Sequence, residues 1–244
     1  MKAVITALCL LIGTAAQAQD LTIFAAASLK EPLDQLLLTQ PGVVVSYGGS
    51  GMLAQQVIAG APADLVFLAH PDWMQAMDDA GVLTPGSRID LLGNQIVLVA
   101  PAGTDAFALT PEALTRALGS EGRLAIGMTT SVPAGLYGRA ALESLGLWDA
   151  VKDRLAEVDN VRAALTLTER GETPLGLVYR TDARVTPNVG IVATFPDASN
   201  EPILYQAATV AGGDPAAEDL LDLLASPEGQ ATFAAAGFVP LAAP

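Results

Sequence analysis

Two serines stand where an apolar, strand-like run gives way to a helical pattern: Ser28 in Phe24-Ala-Ala-Ala-Ser28-Leu and Ser50 in Tyr47-Gly-Gly-Ser50-Gly. A hydroxyl there is a directional donor, and it lies beside the first N–H groups of a helix, which have no intrahelical partner. The helix dipole adds partial positive charge at the same end. The chemistry this favours is the holding of an oxyanion by uncharged donors. Three later positions extend the set. Ser131-Val-Pro-Ala134-Gly135 puts Pro133 early in a helix, with the Ala134 N–H presented beside it. Asp159-Asn160-Val161 opens another helix, where Val161 can give only its backbone N–H. Tyr179 ends the run Leu175–Tyr179 and offers a phenolic donor. Each also has an ordinary role: the serines as N-caps, Ala134 and Val161 as helix starts, Tyr179 as a core side chain. Their joint placement at strand ends and helix starts makes the case for a site.

The elements that must position these donors alternate along the chain, which predicts an α/β protein with mostly parallel sheets flanked by helices. Strands are expected over Leu21–Ala26, Val43–Tyr47, Ala63–Ala69, Gln95–Ala100, Arg123–Gly127, Leu175–Tyr179, Val189–Val192 and Ile203–Val210. Ser28-Leu-Lys-Glu31 reads as a capping box opening a helix to about Leu38, and further helices follow from about Gly51, Pro71, Pro111, Ala134 and Val161. Two tail helices, Pro215–Leu224 and Pro227–Ala235, close the chain, the second with Ser226 at its cap and Gly237 beyond its end. Two α/β sets joined near residues 95–100 and 203–210 predict two lobes with two hinge crossings: 19–94 with 204–244, and 95–203. Ligands of open α/β sheets lie beyond the carboxyl ends of the strands, so a site between two such lobes would collect the turns of both.

Composition narrows the function. Lys2, the apolar stretch Ala3–Gly13 and Ala16-Gln17-Ala18 read as a cleavable export signal over 1–18, with the mature chain beginning at Gln19. Cys9, the only cysteine, falls inside that signal, so neither a disulfide nor a thiolate metal site is expected in the mature chain. Lys and Arg number 12 against 26 Asp and Glu, a formal net charge of −14, which repels nucleic acid and anionic lipid. Anion capture by such a chain must be local and backbone-based.

The residues that carry a resemblance run in order along nearly the whole mature chain: Phe24–Leu29, Ser50 with Leu53-Ala54, Ala59–Leu65, Asp72-Trp73-Met74, Leu91-Leu-Gly-Asn94, Val132–Gly135, Val161-Arg162, Pro174–Tyr179 and Gly237-Phe238. As a set they resemble the periplasmic molybdate-binding proteins of ABC transporters, of the two-lobed solute-binding class. The resemblance implies a periplasmic binding protein fold, a monomer that delivers molybdate or tungstate to a transmembrane permease, and no cofactor or catalytic role. It implies an oxyanion held by the hydroxyls of Ser28 and Ser50, the backbone at Ala134 and Val161, and the Tyr179 hydroxyl. No residue serves as a direct metal-cation ligand, the molybdenum entering as its oxyanion. Two stretches depart from the family pattern. Gly48-Gly49 stands where many relatives are richer in serine, and Met128-Thr129-Thr130 where relatives commonly carry Gly-Asp-Pro.

Other readings predict different partners for the same residues. A serine hydrolase would need His70, the only histidine, as base for Ser50 or Ser28, and Gly48-Gly49-Ser50-Gly51-Met52 lacks the second glycine of a nucleophile elbow. A ferric-iron carrier would use paired tyrosines, but Tyr47, Tyr137, Tyr179 and Tyr205 are dispersed and no His/Cys cluster accompanies them. Sulfate or another tetrahedral oxyanion would suit the same donors.

Overall fold

The computed structural model describes residues 20–241; the expected export signal, with Cys9 and the cleavage point before Gln19, lies outside the described residues. The chain runs β1 (Leu21–Ala26), α1 (Lys30–Leu37), β2 (Val43–Gly48), α2 (Ser50–Ile58), β3 (Leu65–Leu68), α3 (Pro71–Asp79), β4 (Ile89–Asn94) and β5 (Ile96–Pro101). It continues through α4 (Pro111–Leu118), β6 (Leu124–Gly127), α5 (Pro133–Ser144), α6 (Trp148–Val151), β7 (Leu155–Val158), α7 (Val161–Glu169), β8 (Leu175–Tyr179) and β9 (Val189–Thr194). It ends with β10 (Ile203–Thr209), α8 (Ala216–Ala225), α9 (Pro227–Ala236) and β11 (Val239–Pro240).

These strands form two sheets, in the orders β11-β4-β10-β3-β1-β2 and β7-β6-β8-β5-β9. Each has a parallel trio, β2-β1-β3 in the first and β7-β6-β8 in the second, as the α/β alternation predicts. The strands added to each trio pair antiparallel, so both sheets are mixed. The chain passes from one sheet to the other at Gln95, the single residue between β4 and β5, and back through residues 195–202. Gln95 fastens the two passages together: its Nε2 donates to the Phe195 carbonyl (3.2 Å) and to Asp197 (2.8 Å).

Strands β1 and β3 of the first sheet are buried on both faces, which is why they read as continuous apolar runs. Successive side chains alternate between two cores: Ile23, Ala25, Leu65 and Phe67 enter one, Phe24, Val66 and Leu68 the other. Helix boundaries follow local chemistry. Thr110, Asn160 and Ser226 each cap a helix by accepting from the backbone N–H three residues on, and Pro111, Pro133 and Pro227 occupy the first helical position. Gly237, at φ +98°, ends α9 in the left-handed region.

The expected capping box at Ser28 does not form. Ser28 lies in a 3₁₀ turn, Ala27–Leu29, and the N-cap of α1 is Leu29 with no side-chain cap. Both members of the expected box are drawn off by distant partners, Ser28 by Tyr205 and Glu31 by Arg162. At the second serine the N-cap is Gly49, and Ser50 is the first helical residue. Four elements add to the predicted set: β4, whose Asp90, Gly93 and Asn94 disfavour strand formation, and the short β7, α6 and β11.

Phe67 is fully buried and meets Phe233 of α9 edge-on, ring centroids 5.6 Å apart, so it joins the tail helices to the first sheet. Phe67→Ala is expected to cost about 3–5 kcal/mol in chemical denaturation. A loss below about 1 kcal/mol would deny it that role.

Candidate functional site

All five residues singled out from the sequence line one small cavity between the two sheets. Its walls are the end of β1 with Ala27 and Ser28, the β2–α2 turn with Gly48, Gly49 and Ser50, Ala69 after β3, the start of α5 at Val132–Ala134, Asn160 and Val161 at the start of α7, and Tyr179 at the end of β8. No charged side chain is among them. Four of the five, Ser28, Ser50, Ala134 and Val161, belong to helix starts or the turn leading into one. Asn160 caps α7 with its side chain while the N–H of Val161, first in the helix, has no intrahelical acceptor. Pro133 brings no N–H to the start of α5, so the first donor there is that of Ala134.

The hydroxyls are set to donate. Ser50 Oγ accepts the Ala69 N–H at 3.0 Å, leaving its own proton free for the cavity. Ser28 Oγ lies 2.8 Å from the Tyr205 hydroxyl, whose oxygen accepts from Asn94 Nδ2 at 3.3 Å. With the phenolic oxygen occupied, Tyr205 can give its proton to Ser28, and Ser28 can give its own to a ligand. Tyr179 is 1% exposed and its hydroxyl is buried without a hydrogen-bond partner. Burial, followed by the neighbouring Tyr205, Tyr137 and Asp182, pushes the Tyr179 phenol well above its ordinary pKa, so it stays protonated and a donor. A buried hydroxyl without a partner costs free energy unless a ligand completes it.

The two departures from the family pattern have structural roles. Gly49 faces the Asp159 carbonyl and Val132 across the cavity so closely that a Cβ would overlap that carbonyl. A Cβ on Gly51 would lie 2.5 Å from the Ser131 carbonyl and 2.7 Å from the Trp73 ring. The glycines let the two halves approach backbone to backbone. In the other stretch, Thr129 donates through its N–H (2.7 Å) and hydroxyl (2.6 Å) to Glu157, and the Val132 N–H returns to the Met128 carbonyl at 2.9 Å. These bonds hold the turn into α5.

Beneath the cavity lie residues whose part the sequence did not disclose. Arg162, directly after Val161, donates to Asp182 (2.6 Å), to Glu31 (2.7 and 2.5 Å) and to the Ser28 carbonyl (3.1 Å). Asp182 is fully buried and accepts the Tyr179 N–H at 3.0 Å. Asn94 and Arg162 fall within the segments that carry the family resemblance, which marks their positions without giving their contacts.

The arrangement gives little support to other chemistry. His70 Nδ1 accepts from the Asp72 N–H at 3.3 Å, and its ring packs on Tyr137 with centroids 4.7 Å apart. Burial lowers its pKa, with Asp72 opposing, and neither Ser28 nor Ser50 is hydrogen-bonded to it. Tyr179 and Tyr205, expected to be dispersed, pack edge-on with centroids 5.8 Å apart. Among the described residues no group of three or more His, Cys, Asp or Glu could hold a metal ion, and no helix is long and apolar enough to cross a membrane.

Residues 21–239 match the family model described as bacterial extracellular solute-binding protein. The chain is 40% identical over 227 residues to the molybdate-binding protein ModA of Escherichia coli (strain K12), covering 89% of this chain and 88% of that one. It is 38% identical to the protein of the same name from Haemophilus influenzae, covering 91% of each. Among solved structures, the periplasmic molybdate-binding protein of Azotobacter vinelandii superposes with a TM-score of 0.77 at 28% identity, over 90% of this chain and 98% of the other.

The Gly49–Asp159 approach gives a direct test of how closely the halves must meet. Gly49→Ala is expected to leave the fold and its melting temperature near wild type while holding the halves apart. Small-angle scattering at saturating oxyanion should then give a larger radius of gyration than wild type. An unchanged radius would show that the halves meet without this contact.

Proposed function

The chain belongs to the bacterial extracellular solute-binding proteins, and we propose that it is the molybdate-capturing component of an ABC importer, which closes two lobes on the anion and delivers it to a membrane permease. One observation carries the reading. Two serine hydroxyls, a partnerless buried tyrosine hydroxyl and the open N–H groups of two further helix starts meet in one cavity with no charged side chain. That a ModA protein is 40% identical to this chain supports molybdate as the anion.

In this reading Ser28 and Ser50 bind from the lobe of residues 19–94 and 204–244, while Ala134, Val161 and Tyr179 bind from the lobe of 95–203. The strand memberships of the two sheets support that division. Molybdate and tungstate are tetrahedral dianions without a proton near neutral pH, so a shell made only of donors suits them. A protonated phosphate would need an acceptor that the cavity's side chains are not set to supply. Hydrogen bonds to a charged ligand contribute about 1.5–3 kcal/mol each before ordering costs, enough for tight binding from five or more. Sulfate carries the same charge on shorter bonds, so its rejection rests on cavity size, and tungstate should bind nearly as well as molybdate. The protein works as an exported, periplasmic monomer that binds without catalysis or cofactor, its export signal over 1–18 removed.

Thermal shift with molybdate, tungstate, sulfate and phosphate tests the ligand. Molybdate and tungstate should each raise the melting temperature by several degrees at 100 times their Kd, which corresponds to about 2.7 kcal/mol. No stabilisation by either would overturn the reading. In titration calorimetry Ser50→Ala and Tyr179→Phe should each weaken molybdate binding by roughly tenfold or more. Unliganded Tyr179→Phe should melt as before, while Ser50→Ala, which leaves the Ala69 N–H without its acceptor, should stay folded at a cost of about 1–3 kcal/mol. Wild-type affinity in either variant would remove that residue from the site.

A further inference from the structure

We infer that Arg162 is a positioning residue that ties anion capture to lobe closure: through Glu31 it latches the lobes together, and through Asp182 and the Ser28 carbonyl it fixes the donors on both sides of the cavity. The inference rests on the proposed site and extends it to a residue that does not touch the anion.

The placement of Arg162 is not explained by its own helix. It is the second residue of α7, and a cation in the first turn of a helix stands against the helix dipole. Two carboxylates offset that cost, and they belong to different lobes. Asp182 follows β8, the strand that ends in Tyr179, and lies on the same side of the hinge as Arg162. Its second oxygen accepts the Tyr179 N–H, so the Arg162–Asp182 pair sets the backbone that carries the phenol. Glu31 lies in the first turn of α1, across the cleft, and takes the two terminal nitrogens of the guanidinium as a fork. One of those nitrogens also holds the Ser28 carbonyl, next to the hydroxyl proposed to bind the anion.

Opening the hinge keeps Arg162 with Asp182 and breaks everything it makes to Glu31 and Ser28. The Glu31 fork therefore exists only in the closed form, where it adds to whatever the anion contributes. The side chain of Arg162 is 18% exposed and that of Glu31 46%, so the pair is partly shielded from water yet can form and break. A bidentate guanidinium–carboxylate pair is geometrically demanding, so it also sets the angle at which the lobes meet. Lysine keeps the charge and loses the fork.

Stopped-flow measurement of molybdate association and dissociation, followed by tryptophan fluorescence, tests the latch with wild type, Glu31→Gln and Arg162→Lys. Glu31→Gln should speed dissociation about tenfold and change association less than twofold, because the pair forms after encounter. Arg162→Lys, which loses the fork and also loosens Asp182 and the Ser28 carbonyl, should speed dissociation at least as much, and a wild-type rate there would equally overturn the latch. The unliganded Glu31→Gln protein should melt as wild type does, since the fork is absent from the open form. A wild-type dissociation rate in Glu31→Gln would overturn the latch while leaving the molybdate site standing. Equal destabilisation of its unliganded and liganded forms would also overturn it. Wild-type protein that fails to bind molybdate would instead overturn the site reading, and the latch with it.

Discussion

The backbone N–H groups in the first turn of a helix have no carbonyl to bond, and this chain gathers such turns from both of its sheets at one point. Much of the architecture serves that gathering. Parallel strands send successive helix starts to the same edge of a sheet, and each sheet has such a trio. The crossings at Gln95 and residues 195–202 then turn the two edges toward each other. Glycines at 49 and 51 remove the side chains that would keep the edges apart. What remains between them is a space lined by donors.

An acidic chain gains from this construction. With a net charge of −14 the protein repels anions at long range, so recognition has to come from dipoles that act only at contact. Buried donors serve well there, because the same N–H or O–H is worth more in a dry cavity than in water. The hydroxyls are kept pointing inward by partners on their far side: Ala69 for Ser50, and Tyr205 backed by Asn94 for Ser28. The phenol of Tyr179 has no partner on its far side and is held through its backbone by Asp182.

Local signals in the sequence reach the helix starts and strand ends, because caps, prolines and apolar runs act over a few residues. Asn160, Pro133 and the run Leu175–Tyr179 place three of the five expected donors this way. The two-lobed α/β class follows from the same alternation. The contacts that set the donors' direction are not local. Ser28 and Tyr205 are 177 positions apart, and Arg162 and Glu31 131 apart, and nothing in the neighbourhood of any of them names its partner. The Ser28 box failed for that reason: a local cap competes with tertiary bonds that only the folded chain supplies. Strand β4 shows the converse, since Asp90, Gly93 and Asn94 read against a strand until β10 and β11 lie on either side.

The neutrality of the cavity wall also bears on unloading. A guanidinium or ammonium that had held the anion would be left behind as a bare buried charge, and departure would have to wait for a counter-ion or a proton. Here each donor vacated by the ligand needs only a water molecule, and nothing lining the space has to change its protonation. For the donors themselves emptying is a matter of hydration, and once the Arg162–Glu31 fork has parted the same molecule returns to its starting state without chemical resetting.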